Sequence, residues 1–200
     1  MRGVALIAAG CAVLAFAWLG PLPGLVPASF AAHMTLHMTV VGIGVPLVAI
    51  GLASRLPPML GLSPAFAAIM SVLDLAVVWG WHAPALHHAS RGGGALLALE
   101  QGMFAVVTLG LWLAAVAGPA LAGALALFMT SMHMTLLGAL LGLGGRSLFP
   151  AHDGAVGAIC LSPVEDQQLG GAIMLGVGGA VYLAAGLWLV GRLLRRPAPS

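Results

Sequence analysis

Residues 33–53 read HMTLHMTVVGIGVPLVAIGLA, an apolar run with no Asp, Glu, Lys or Arg that opens on two histidines. Its length is decisive. Spanning a hydrocarbon core takes about 20 apolar residues at a rise of about 1.5 Å each. A stretch of this kind predicts a transmembrane helix, with Pro46 as a kink. Working outward, five more stretches have the same character. They cover about residues 4–19, 64–81, 95–117, 120–143 and 169–189. The first is closed by Pro21, Pro23 and Pro27, and the fourth ends before Gly118 and Pro119. The expected fold is therefore all-α, a single polytopic membrane bundle of about six helices.

Composition agrees. Of 200 residues, 61% are hydrophobic and 6% are charged, against about 25% charged in a soluble domain. There is no lysine, and the net charge of +2 is too small and scattered for a nucleic-acid partner. The expected surroundings are membrane lipid. Cys11 and Cys160 are far apart and form no CxxC pair, so neither a thiolate metal site nor a disulfide framework is expected. The first stretch has the short basic start of a signal peptide. It is long enough to span, and no good cleavage site follows it, so a retained helix is expected.

The arginines predict orientation. With the N-terminus in the cytoplasm, Arg2, Arg55, Arg192, Arg195 and Arg196 lie inside, and Arg91 and Arg146 outside. Both termini are then cytoplasmic. On that topology His33, His37, His82, His87, His88, His133 and His152 all fall toward the outer face. The arginines alone set the orientation, so this clustering is an independent observation.

His33 and His37 are at i and i+4, on one helix face. Met34 and Met38 form a second such pair, rotated by about 100°. The fifth stretch adds Met132, His133 and Met134. Imidazole binds copper and zinc, and thioether selects soft Cu(I). The expectation is a Cu(I) site between the second and fifth helices, formed by His33, His37 and His133 with Met34, Met38, Met132 or Met134. A polar group inside a span is costly and usually functional. Methionine, by contrast, is also an ordinary packing residue. His82, after Trp79 and Trp81, is a further candidate ligand; His87, His88 and His152 read as interfacial side chains. Asp74 is the deepest acid, able to pair with a histidine, accept a proton or cap a polar network. Glu100 reads as a ligand or as an acceptor orienting a histidine. Asp166 and Gln167 read as polar residues at the start of the sixth helix, where an acid is favourable.

Several of these motifs, in this order, resemble the CtaG family of assembly factors for caa3-type cytochrome c oxidase. They are His33 to Gly51, Trp81-His82-x-Pro84, Leu99-Glu100 with Phe104 and Trp112, and Met129 to Gly138. Then come Gly145-Arg146-Ser147-Leu148-Phe149-Pro150 and Ser162-Pro163-x-x-Asp166-Gln167-Gln168-Leu169-x-Gly171. The last two are the most specific, because hydropathy alone would not produce them. The resemblance implies a multi-spanning protein of the bacterial inner membrane. Its implied role is non-enzymatic, in maturation of a haem–copper oxidase at the copper-delivery stage, with oxidase subunits as partners. Relatives commonly carry Glu-His in the fourth helix, where this chain has Glu100-Gln101. Other readings stay open on the residues alone: a haem b protein using His37 and His133, a metal-free scaffold for an oxidase subunit, or an intramembrane hydrolase using Glu100 or Asp74. The last lacks an HExxH pattern.

Overall fold

The computed structural model describes residues 1–56, 62–149 and 161–195. Among these there is no strand, and six helices are long and apolar enough to cross a membrane. The helices are α1 (Arg2–Leu19), α2 (Leu22–Leu25), α3 (Phe30–Ala53), α4 (Pro64–Trp81), α5 (Pro84–Arg91), α6 (Gly94–Ala117), α7 (Ala120–Gly142) and α8 (Pro163–Leu194). The spanning helices are α1, α3, α4, α6, α7 and α8; α2 and α5 are short. His152, Asp153, Cys160 and Arg196 lie outside the described residues.

The bundle is centred on α3 and α7. In their most apolar windows 61% and 56% of residues are buried, against 11% for α1, which makes α1 a peripheral helix. It lies along the second half of α3, while the first half of α3 packs on α8. Helix α7 packs chiefly on α8, and α4 bridges α6 and α7. Close approach relies on glycine, as usual where helices associate in lipid. A Cβ on Gly138 would stand 2.8 Å from the Leu175 backbone nitrogen and 2.9 Å from the Gly171 oxygen. A Cβ on Gly10 would meet the Gly44 oxygen at 2.7 Å.

Two spans widen into π turns, at Val40–Gly44 in α3 and Met174–Gly178 in α8. The α3 turn has a definite cause. Val45 N–H bonds back to the Val40 carbonyl, an i→i−5 step. In that register residue 46 would donate to Val41, but it is proline and has no N–H. Tyr182 of α8 supplies the donor instead, its hydroxyl 2.9 Å from the Val41 oxygen. Pro46, expected only to kink the helix, therefore also creates a carbonyl that binds α3 to α8.

Hydropathy misplaced two helix starts. Helix α3 begins at Phe30, a turn before His33, and α8 begins at Pro163 rather than Leu169. Both starts are marked by side-chain caps. Ser29 accepts from Ala32 N–H at 3.1 Å. Ser162 and Glu165 form a reciprocal capping box with Pro163 at the first helical position, a strong start signal that is independent of hydropathy. Helix α5 was not anticipated at all, being polar and only eight residues long.

Substituting valine at Gly138 should destabilise the detergent-solubilised protein by about 1–3 kcal/mol, the usual cost of overpacking. Gly176→Ala, where a Cβ meets nothing within 4 Å, should leave the thermal midpoint almost unchanged in the same measurement.

Candidate metal centre

The site is built at one end of the bundle, starting from the N-terminus of α3. Four amide donors there lack helical partners. Asp166 of α8 accepts from Phe30 N–H at 2.6 Å, Ala31 N–H at 3.1 Å and the Ser29 hydroxyl at 2.6 Å. A carboxylate at a helix N-terminus is favoured by both hydrogen bonding and the helix dipole. Sequence reading assigned Asp166 to the start of its own helix. It does lie in that first turn, beside Glu165, and its carboxylate in addition caps α3.

Gln167, fully buried, does a second structural task. Its Oε1 accepts from Leu148 N–H at 2.6 Å, and its Nε2 donates to the Leu141 and Arg146 carbonyls at 3.2 and 3.3 Å. This ties down the loop that carries Phe149. The Phe149 ring stacks on Phe30 at 4.5 Å and meets His87 edge-on at 4.4 Å. The two most distinctive motifs of the sequence thus touch each other and close over the histidines.

Beneath that cover, His33, His37, His82 and His87 are all buried. The His33 and His37 rings are nearly parallel, with centroids 6.3 Å apart, as their i, i+4 spacing requires. His87 stands 4.6 Å from His33, and His82 lies 5.3 Å from His37 and 5.5 Å from His33. Glu100 of α6 brings Oε2 to 3.8 Å from His33 Nδ1. It is oriented by Ser90, whose hydroxyl donates to Oε1 at 3.1 Å, and by Gln101, whose Nε2 lies 3.4 Å from Oε2.

One ligand atom from each of His33, His87 and Glu100 lies within 4.8 Å of the other two. Six imidazole nitrogens in the cluster have no hydrogen-bond partner among the described residues: both on His33, both on His37, Nε2 of His82 and Nδ1 of His87. His82 Nδ1–H donates to the Val78 carbonyl at 2.6 Å. That bond fixes the tautomer and leaves the Nε2 lone pair free, the arrangement typical of a metal-ligating histidine. Burial pushes the His82 pKa down to about 4. Burial also pushes His87 far down, helped by the charges of His33, His82 and Arg91. Both imidazoles are therefore neutral near pH 7, the state in which they ligate. The donor set of imidazole plus carboxylate suits copper, zinc or iron, and these residues fit a bound metal ion.

Arg91 closes the site on the α5 side. Although it lies in a connection between spans, its side chain is buried. Its Nε donates to the Val26 carbonyl at 3.2 Å, and Nη1 approaches His87 Nε2 at 3.4 Å. Burial lowers its pKa, and the carboxylate of Asp166 opposes that shift.

The sequence-predicted ligands separate into two groups. His33, His37 and His82 come together, joined by Glu100 and by His87, which had been read as interfacial. The signal for His87 was present in Pro84-Ala-Leu-His-His-Ala-Ser-Arg91: a proline that opens a helix and His87 and Arg91 at i, i+4. His133 is not brought to the cluster by any ring contact; its Nε2 lies 3.2 Å from Asp74 Oδ2. Thr108 donates to Asp74 Oδ1 at 3.3 Å. Of the roles open to Asp74, the structure shows pairing with a histidine. The methionines go elsewhere. Met132 is 64% exposed on the outside of α7. Met34 packs beside Gly170, and Met38 and Met134 place their sulfurs on either side of Gly178, 3.3 and 3.6 Å from where its Cβ would stand. Met34 and Met38 line the α8 contact because they lie about 100° around α3 from His33 and His37, and Met134 reaches it from α7.

Asp166→Ala should expose the first amides of α3, accelerating hydrogen exchange at Phe30 and Ala31 by tenfold or more. Glu165→Ala, which opens only the α8 capping box, should leave those two amides protected.

The family model of the cytochrome c oxidase caa3 assembly factor, Caa3_CtaG, matches residues 2–196. No curated protein and no solved structure matches the chain.

Proposed function

The chain belongs to the cytochrome c oxidase caa3 assembly factor family, and from that premise we propose that it holds a copper ion and passes it to an oxidase subunit. The ion is cargo, bound by His33, His87 and Glu100 with His82 and His37 within reach. One observation carries this reading: buried imidazoles gather beside a carboxylate, with six of their nitrogens lacking a hydrogen-bond partner among the described residues. An unmet buried polar group costs about 1–3 kcal/mol, so the cluster is expensive unless something binds it. The sixfold repetition makes incidental burial a poor explanation.

The proposed ligand set differs from the one the sequence suggested. Thioether ligands give way to a carboxylate, so the site is harder than a His/Met site and accommodates Cu(I) through its imidazoles or Cu(II) through imidazole and carboxylate. Transfer requires exchangeable coordination. The Glu100 carboxylate, which Ser90 and Gln101 hold at a distance from His33, is the ligand best placed to let go. Gln101 stands where relatives commonly have histidine. In this chain it acts on Glu100 as a hydrogen-bond partner.

The arginine distribution supports placing this end of the bundle outside the cytoplasm, at the periplasmic face of a bacterial inner membrane. A reporter active only outside the cytoplasm should then be inactive when fused after Arg195 and active when inserted between Arg91 and Gly94. The opposite pattern would invert the topology and remove the periplasmic assignment.

The metal reading is tested on protein purified from copper-supplemented cells. The wild type should carry about one copper per chain and show no Soret band. His33→Ala with His87→Ala should lose the copper, and His133→Ala should retain it. Absence of copper in the wild type would favour a metal-free scaffold, and a Soret band would favour haem.

A further inference from the structure

The end of the bundle opposite the histidines holds a cavity that copper handling does not use. Its volume is about 540 Å³, and it lies between α3, α6, α7 and α8, in the size range of ligand pockets. Ile50, Val116, Leu127 and Ala185 line its wall. The wall offers almost nothing to a water-soluble ligand, and it is continuous with the lipid-facing surface through Trp188, which is 56% exposed.

The rim is different. Arg192 borders the cavity, and its guanidinium carbon sits 4.9 Å from the centre of the Trp188 ring. A cation–π contact of this kind fixes the guanidinium by its face and leaves its N–H edges free for an acceptor. The surroundings share one sign. Arg2 opens α1, Arg55 follows α3 and Arg195 follows α8, all at this end. The acids among the described residues are Asp74, within α4, and Glu100, Glu165 and Asp166, near the histidine end. An occupant must therefore combine an apolar body, entry from the membrane and a negative head.

We propose that this cavity is a binding site for an anionic phospholipid, with an acyl chain between α6 and α8 and the phosphate on Arg192. The alternation of apolar cleft and fixed cation selects against a zwitterionic lipid, whose own positive group would be brought toward Arg192. A basic residue at an anionic membrane surface contributes a free energy equivalent to about a fivefold change in affinity. The proposal is independent of the copper reading, since it uses none of the same residues.

The test is native mass spectrometry of the full chain in detergent, titrated with phosphatidylglycerol or with phosphatidylcholine of identical acyl chains. Wild type should retain phosphatidylglycerol about fivefold more tightly. Arg192→Gln should erase that preference, and Arg195→Gln should keep it. Ala185→Leu, which fills the cleft without touching charge, should weaken retention of both lipids. Equal retention of the two lipids by wild type would overturn the proposal. So would a preference that survives Arg192→Gln, or one lost equally in Arg195→Gln, which would mean diffuse charge rather than a site.

Discussion

The candidate site depends on the capping of α3 by Asp166. A helix that begins inside a protein leaves its first amides without partners, and in a membrane bundle little solvent is near to satisfy them. Asp166 supplies both oxygens to three donors at 2.6–3.1 Å. This joint fixes where α3 starts and its rotation, and so determines that His33 and His37 face α4, α5 and α6 rather than α8. The same turn of α8 carries Gln167, which holds the loop that presents Phe149 to His87. Two adjacent polar residues on one helix thereby set the floor and the roof of the histidine cluster. The acid also faces the guanidinium of buried Arg91, raising that group's pKa against the effect of burial. A cap, a loop anchor and a counter-charge come from one segment, Asp166-Gln167.

The spans were legible because lipid imposes a single rule on them: enough consecutive apolar residues to cross. Their cores at residues 64–81 and 120–143 needed nothing else. What hydropathy could not see were the places where the backbone is satisfied by side chains. The first turn of α8 is polar and is held by Ser162 and Glu165, so it falls below an apolar threshold while remaining helical; the start of α3 at Phe30 is set by Ser29 and Asp166. Helix α5 is hidden for a different reason, its eight residues being too few and too mixed in apolar and basic groups to register as a span. The π turn at Val40–Gly44 was half legible. Pro46 announces a disturbed helix, but that Tyr182, far away in sequence, completes the missing hydrogen bond is a tertiary fact.

The candidate site was legible in its anchor and obscured in its completion. The His33–His37 pair follows from helical spacing alone. Extending it to His133 on the strength of a repeated His-Met-Thr was reasoning from likeness: α7 sets His133 beside Asp74, while α4 and α5 deliver His82 and His87 to the rings of α3. The methionines were drawn in by adjacency, yet adjacency on a helix means a rotation of about 100°. On α3 that rotation is the difference between facing the imidazoles and facing Gly170 and Gly178. Periodicity thus predicted that histidine and methionine lie on different faces, and softness of ligand suggested that they act together. The geometric argument was the stronger one.

Two polar groups in the interior consequently need separate explanations. The Asp74–His133 pair brings a carboxylate and an imidazole to 3.2 Å, with the Thr108 hydroxyl donating to Asp74 Oδ1 at 3.3 Å, while Asp74 Oδ2 and both His133 nitrogens have no hydrogen-bond partner among the described residues. Removing one partner would strand the other in a medium of low dielectric. The cluster at His33, His37, His82 and His87 raises the same question on a larger scale. It has four imidazoles, one nearby carboxylate and few donors or acceptors to spare, with neutral rings whose low pKa values at His82 and His87 keep them from charging one another. Packing could have been achieved with leucine at far lower cost, since apolar replacement of buried polar groups is often neutral or stabilising. One ligand atom from each of His33, His87 and Glu100 lies within 4.8 Å of the other two, an arrangement that would suit an electron-pair acceptor.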